Sequence, residues 1–292
     1  MSHTPKITVV GSINMDMVTI TNQLPKMGET IIGQQFQMNP GGKGANQAVA
    51  AARLGAQVRM IGCVGNDTFG KDLLQHLHTE GVDVSNVEPV TYSTATATII
   101  VSNNDNNIIV VPGANNYVTS TYVESKRDVI ANSDILILQL EIPLEAVRKA
   151  IEIAKENGVT VILNPAPICD LPDELLEQVD YLTPNEHEYI HLNIKENRTD
   201  LLEKIILTKG SEGVSFRDHG EDKNISAYEV SVVDTTGAGD AFNGGFAFAL
   251  GKSLPLEEAC AYGNAVGALA TTKLGAQTGM PTSEEVKAFL RK

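Results

Sequence analysis

Residues 135–164 read ILILQLEIPLEAVRKAIEIAKENGVTVILN. The run Ile135 to Leu138 is wholly apolar, Leu144 to Asn157 is rich in helix formers, and Val159 to Leu163 is apolar again. A short, continuously apolar run beside a helix reads as a strand buried on both faces, the pattern of a parallel sheet covered by helices. The same signature recurs at Ile7 to Val10, Val58 to Ile61 and Ile205 to Leu207, each near a helix-like segment. Ala45 to Leu54 and Ala241 to Leu250 read as further helices by composition. These runs predict an α/β sandwich, and no internal repeat interrupts it.

At 292 residues the chain suits one large domain with an elaboration. Its composition, 42% hydrophobic and 20% charged, is that of a globular protein, and no stretch approaches the roughly 20 apolar residues of a membrane span. Met1 to Lys6 leads into the first apolar run without the features of a signal peptide, which predicts a cytoplasmic protein. Cys63, Cys169 and Cys260 lie far apart, so they read as reduced structural thiols and not as a CxxC metal site or a disulfide framework. A net charge of -14 repels polyphosphate backbones, and the absence of a basic run argues against a nucleic-acid partner. A nucleotide ligand then requires local positive potential from helix N-termini, single lysines or a metal ion.

Two regions break the buried-strand pattern. Met17 to Phe36, and Ala95 to Val101 with Ile108 to Val111, are β-branched, alternate partly and are separated by polar turns such as Asn103 to Asn107. They predict a small antiparallel sheet over residues 13–42 and 93–112, projecting from a body formed by 1–12, 43–92 and 113–292. A thin sheet cannot bury two apolar faces by itself, so it is expected to act as a lid over a ligand and to pair with its copy in a homodimer.

Polar residues stand beyond the carboxyl ends of several apolar runs: Glu141, Asn164, Asn185 and Thr208. In an open α/β sheet ligands bind at that edge. Three motifs add chemistry. In Asp234-Thr235-Thr236-Gly237-Ala238-Gly239-Asp240, small residues before a helix let backbone N–H groups approach an anion. Asp240 in the first turn is placed to take a proton from an attacking hydroxyl, although an acidic residue there also serves the helix dipole. In Pro40-Gly41-Gly42-Lys43-Gly44-Ala45-Asn46-Gln47, Lys43 and Asn46 supply donors on one helical face, suited to a polyhydroxylated molecule. Asn14 and Asp16 share an orientation if the chain there is extended, and so form a clamp for neighbouring hydroxyls. Asn185 and Glu188, three residues apart, offer hard oxygen ligands for water-mediated Mg2+. His187 faces elsewhere and no HExxH motif exists. Gly245 to Ser253 resembles a Walker A loop with its glycine spacing one residue too long, at the end of a helix.

With both glycine motifs, Gly41-Gly42-Lys43-Gly44-Ala45-Asn46 followed by Gly62 and Gly65, and Asp234-Thr235-Thr236-Gly237-Ala238-Gly239-Asp240, the sequence resembles the ribokinase branch of the PfkB-type carbohydrate kinase family over essentially its whole length. The resemblance implies a Rossmann-like three-layer α/β/α sandwich with a β-sheet lid, and transfer of the ATP γ-phosphate to the 5-hydroxyl of D-ribose. It makes Asp240 the catalytic base and the amides of Gly237, Ala238 and Gly239 the anion hole. Asn14, Asp16, Gly42, Lys43, Asn46 and Glu141 would hold the sugar. Asn185, Thr208, Lys209, Gly210, Ser211, Glu212, Gly213, Gly239 and Asn264 would line the ATP site, with Glu188 organising Mg2+. An activating K+ would be held by Asp234 and Thr236 with carbonyls of Ala270, Lys273 and Gly275. Gly279 stands where some relatives carry a serine. The Leu192 to Lys204 stretch looks short beside the family. The alternatives are a deoxyribose, fructose or adenosine kinase of the same family, or a catalytically silent sugar-binding regulator.

Overall fold

The computed structural model describes residues 3–102 and 105–291. Its core is a six-stranded, all-parallel sheet in the order β10-β9-β8-β1-β4-β5, formed by β1 (Lys6–Val10), β4 (Gln57–Gly65), β5 (Val82–Val90), β8 (Ile135–Leu138), β9 (Thr160–Leu163) and β10 (Tyr181–Leu182). Alternate residues of each strand face opposite sides. Ile7, Val9, Ile135 and Ile137 enter one core, while Val10, Leu136, Leu138, Val161 and Leu163 enter the other.

The first core is covered by α1 (Lys43–Arg53), α2 (Thr68–Thr79), α9 (Ala238–Gly251), α10 (Leu256–Ala270) and α12 (Ser283–Phe289), with α11 (Ala276–Gly279) between the last two. The second is covered by α3 (Ser120–Ser125), α4 (Arg127–Ala131), α5 (Leu144–Glu156), α6 (Asp173–Leu176), α7 (Glu186–Leu192) and α8 (Thr199–Leu202). The result is the three-layer α/β/α sandwich. The strand order reverses between β1 and β8, and the crevice beyond their carboxyl ends is where such sheets bind ligands.

The run at Ile205 to Leu207 does not join the parallel ladder as expected. As β11 (Ile206–Thr208) it pairs antiparallel with β12 (Val214–Asp218), which pairs with β13 (Glu221–Ile225). Only single bridges, Leu182 to Ile205 and Asn185 to Thr208, tie β11 to the β10 side. β10 is two residues long, too short to support a further ladder, so the sheet continues as a hairpin instead.

The projecting sheet has the order β3-β2-β6-β7, with β2 (Asn14–Ile20), β3 (Gln35–Gly41), β6 (Ala95–Ser102) and β7 (Asp105–Val111). Its outer pairings are antiparallel, and its central pair β2/β6 is parallel. β2 and β6 leave the body in the same direction, from the ends of β1 and β5, the parallel strands that flank β4 in the central sheet. Met17 to Phe36 is strand only at its two ends, and after the buried Thr21 residues 22–34 form a largely exposed loop. Of the turn expected at Asn103 to Asn107, Asn103 and Asn104 lie outside the described residues.

Helix α9 is apolar nearly all round, as a helix packed on every side must be. Phe246 is fully buried, edge-on to Tyr181 and stacked on Phe242, and burying such a ring contributes about 1.5–3 kcal/mol. At Gly244 a Cβ would overlap Ala50, so the absent side chain lets α9 press directly onto α1. That contact brings Asn46 and Gln47 of α1 against Asp240 of α9.

Candidate active site

Asp240 is the third residue of α9, 8% exposed, and both its oxygens are occupied by side-chain amides. Asn46 Nδ2 donates to Oδ2 at 2.8 Å and Gln47 Nε2 donates to Oδ1 at 2.9 Å. Burial raises the Asp240 carboxyl above its ordinary range, opposed by the Lys43 ammonium and by the two amide hydrogen bonds. Burial alone would lower Lys43, but Asp240, Glu141, Glu188 and Asp16 together outweigh it and hold the ammonium charged. A carboxyl group and an ammonium group thus line one pocket, in which Lys43 carries the positive side-chain charge.

The loop before α9 carries free donors. Gly237 is the N-cap at φ 76°, in the left-handed region. Ala238 N–H donates to Thr235 O at 3.2 Å, whereas among the described residues no protein acceptor meets the N–H groups of Gly237, Gly239 or Asp240. At the helix N-terminus these amides face a cavity of about 210 Å3 lined by Lys43, Asn164, Asn185, Glu188, Gly239 and Asp240. Asn243 Nδ2 donates to Gly239 O at 2.9 Å and its Oδ1 accepts from Thr183 at 2.6 Å, fixing the loop to the end of β10.

The residues expected to clamp a sugar converge on the switch-point crevice. Ser12 Oγ, beyond β1, donates to Glu141 Oε2 at 2.6 Å, and Lys43 N donates to the same oxygen at 3.2 Å. Asn14 opens β2 in an extended conformation, so Asn14 and Asp16 share a face as their spacing predicts. Asn115 Nδ2 donates to Asn14 Oδ1 at 2.8 Å, leaving the Asn14 Nδ2 free to donate elsewhere. Gly42 at φ 91° turns the chain from β3 into α1 close against Ser12 and Asn14. Asp16 is pushed up to about 7, first by burial and then by the carboxylates of Glu141 and Asp240, against the pull of Lys43.

A second cavity, of about 660 Å3, adjoins the anion pocket between α9, α10 and the β12–β13 side. All the residues expected at the nucleotide reach its lining except Lys209 and Glu212. Asn185 and Glu188 form a reciprocal capping box on α7: Asn185 N donates to Glu188 Oε2 at 2.8 Å and Glu188 N donates to Asn185 Oδ1 at 2.9 Å. Glu188 therefore has one carboxylate oxygen left over. Burial raises it, opposed by the Asn185 amide and Lys43. Among the described residues there is no group of three or more His, Cys, Asp or Glu side chains that could hold a metal ion.

Asp234 lies outside both cavities. Its Oδ1 accepts from Thr236 N and Oγ1 at 2.9 and 2.7 Å and its Oδ2 from Gly275 N at 2.8 Å. Burial works against its charge, but these donors outweigh it and keep the carboxyl below its usual range. At Gly279 a Cβ would overlap the Ala270 carbonyl oxygen, so that carbonyl occupies the place a side chain would need. Ionised carboxylate and carbonyl oxygens are the donor chemistry of an alkali cation.

The site also uses residues that the sequence reading left without a role: Ser12, Gln47, Asn115, Gln139, Asn243 and Gln277. Gln47 is one turn beyond Lys43, and Gln139 follows a strand as the other site residues do, so position alone could have flagged both. Asn115 and Gln277 sit in turn-like segments with no local signal.

The pattern of the pfkB family carbohydrate kinases matches residues 4–283. The chain is 45% identical to ribokinase of Lactococcus lactis subsp. lactis, over 98% of this chain and 97% of that protein. It is 43% identical to ribokinase of Bacillus subtilis, over 97% and 99%. A solved structure of Arabidopsis thaliana ribokinase complexed with ribose and ATP superposes with a TM-score of 0.91 at 32% identity, covering 99% of this chain and 100% of that one.

Proposed function

The chain belongs to the pfkB family of carbohydrate kinases, and we propose that Asp240 is the base with which it moves the ATP γ-phosphate onto the 5-hydroxyl of D-ribose. It is an ATP-dependent sugar kinase. The observation that carries the residue roles is the juxtaposition of a buried carboxylate, a half-buried ammonium and unpaired helix-start amides in one pocket between a polar crevice and a larger cavity.

In this reading the crevice holds ribose through Asn14, Asp16, Gly42, Lys43, Asn46 and Glu141, and the large cavity holds ATP. Asp240 accepts the proton of the 5-hydroxyl as its oxygen attacks the γ-phosphorus in line with the departing ADP oxygen. The amides of Gly237 and Gly239 and the Lys43 ammonium face the charge of the transferring group, a preorganised field that needs no rearrangement during the reaction. Glu188 would hold Mg2+, which when bound neutralises phosphate charge. Asp234 and Thr236, with carbonyls of Ala270, Lys273, Gly275 and Gly279, would hold K+ beside the anion loop.

The projecting sheet, residues 13–42 and 93–112, is the lid in this proposal. Phe36, Met38, Ile108, Ile109, Val110 and Val111 are exposed on it, an apolar surface that a second copy would cover in a homodimer. No helix of the described residues is long and apolar enough to cross a membrane.

The deciding experiment is ADP release from ATP and Mg2+ with a panel of sugars, with and without K+. Ribose-dependent release that rises with K+ is expected. Turnover of fructose or deoxyribose in preference to ribose would replace the substrate, and ribose binding without ADP release would make the protein a silent binder.

The Asp16→Ala variant is expected to raise the KM for ribose by roughly 10-fold to 100-fold, because sugar hydroxyls lose a charged acceptor, with kcat less affected. Its ordinary range lies far below 7, so the folded protein favours the neutral acid up to about pH 7. Ribose affinity should therefore weaken as pH falls through 7 and the acceptor is lost. Stability follows the opposite sign: the contribution of the protonated Asp16 is present at low pH and disappears as pH rises through 7. Isothermal titration in buffers of different ionisation enthalpy checks the linkage. Ribose affinity that stays constant from pH 6 to 8 would refute it.

A further inference from the structure

Asp240 stands at the meeting point of two chains of side-chain amides. In one, the His76 ring meets Gln277 Oε1 at 2.7 Å, Gln277 Nε2 donates to Asn46 Oδ1 at 2.9 Å, and Asn46 Nδ2 donates to Asp240. In the other, Gln139 Nε2 donates to Gln47 Oε1 at 2.6 Å and Gln47 Nε2 donates to Asp240. An amide has a donating end and an accepting end, and a half-turn about its last bond exchanges them. For Asn46 and Gln47 the wrong setting would place a carbonyl oxygen against the carboxylate, removing a donor and adding repulsion.

We propose that Gln277 and Gln139 are positioning residues that lock the amides of Asn46 and Gln47 with their N–H ends turned to Asp240. The proposal rests on the reading of Asp240 as the base. Its strongest support is an anomaly at Gln139: the side chain is fully buried, yet its Oε1 has no hydrogen-bond partner among the described residues. A buried carbonyl oxygen left without a donor is costly and therefore uncommon. Here it follows from the chain itself. The carboxylate accepts only, so Gln47 must turn its nitrogen inward and its oxygen outward, and Gln139 can then offer only its nitrogen.

The other chain ends differently. Gln277, 3% exposed, has its Oε1 satisfied by His76, whose facing nitrogen must carry a proton because the amide oxygen can only accept. The backbone around Gln277 is held as well: Arg53 Nη1 donates to Gln277 O at 2.6 Å and to Met280 O at 2.8 Å, while its other nitrogens pair with Glu80 at 2.7 and 2.8 Å. Arg53 and Asn46 belong to the same helix, so Gln277 and Asn46 are set on one frame. When the sugar O–H bond breaks and the proton moves to Asp240, the new acid finds no acceptor in either amide. The locked pair thereby favours the ionised, reactive form of the carboxyl, against burial, which raises it.

The test measures kcat, both KM values and thermal melting for Gln277→Glu, Gln277→Met, Gln139→Met, His76→Leu and His76→Gln, with Asp240→Asn as control. Glutamate offers only acceptors and should turn Asn46 over, so Gln277→Glu is expected to lower kcat by roughly 10-fold to 100-fold and to raise the KM for ribose while leaving that for ATP unchanged. Gln277→Met and Gln139→Met, which release the lock without reversing it, should each lose about 3-fold to 10-fold. His76→Leu should lose activity, and His76→Gln, which can still donate, should recover most of it. A folded Gln277→Glu enzyme with wild-type kcat overturns the proposal. If that variant does not fold, equal activities for His76→Leu and His76→Gln overturn it. Full turnover by Asp240→Asn would instead remove the base reading on which the proposal stands, whereas an inactive Asp240→Asn beside wild-type glutamine variants removes the lock alone.

Discussion

Replacing Asp240 with asparagine is expected to lower kcat by roughly 100-fold to 10,000-fold, the range for loss of a general base, with ATP binding changed far less. The geometry makes the substitution unusually informative. Both oxygens of Asp240 accept from amide nitrogens, so an asparagine would present its own NH2 to one of two donors and could satisfy only one. The loss therefore combines a missing base with a disturbed pocket. Single-turnover measurement of the chemical step separates these from product release. An Asp240→Asn enzyme near wild-type turnover would leave the pocket without a catalytic base.

The second large effect is expected at Gly239. A Cβ there would meet nothing within 4 Å, in contrast to Gly237, where it would press on Ala276. Gly239→Ala should consequently fold, and alanine in the first turn of α9 should preserve stability or raise it by up to about 1 kcal/mol. The space is nevertheless the approach to the free amides, and a methyl group placed there should hold the phosphate away from them. Loss of one such donor costs about 100-fold to 1,000-fold in kcat. Denaturant midpoints and steady-state rates together test the split between a stable fold and a weakened reaction. Unchanged kcat in Gly239→Ala would mean that the phosphate does not approach α9 from this side.

Much of this arrangement could be read in advance, and the reason is local. Strands buried on both faces are largely apolar, so β8 and β9, and β1 and β4 despite Thr8 and Arg59, announce themselves in the sequence. Glycines at helix starts are equally visible, and they point to Gly42, Lys43, Asn46 and Asp240 from the sequence. What stayed hidden depends on distant partners. β12 and β13 carry solvent-facing charges joined across the hairpin, Arg217 to Asp222 and Lys223 to Asp218, and show no continuous apolar pattern. Gln277 is separated from Asn46 by most of the chain, and nothing in Gly275-Ala276-Gln277-Thr278 hints that the glutamine turns inward. Asn185 and Glu188 show the reverse case. Their spacing predicts hard oxygen ligands for a metal, and the structure shows the same spacing serving as a capping box.

The register of the projecting sheet has a mechanical corollary. Asn14 is paired with Gly41 on one side and with Ala95 on the other, and Val111 faces Thr96 in the next row, so all four strands are rooted in the body along a single transverse line. A plate fixed along one edge has one soft degree of freedom, its tilt. Asn14 stands on that edge and Asp16 two residues outward, while Asp240 stays with the body. Any tilt of the plate carries Asp16 with it, so the distance between the Asp16 and Asp240 carboxyl groups is set by that angle.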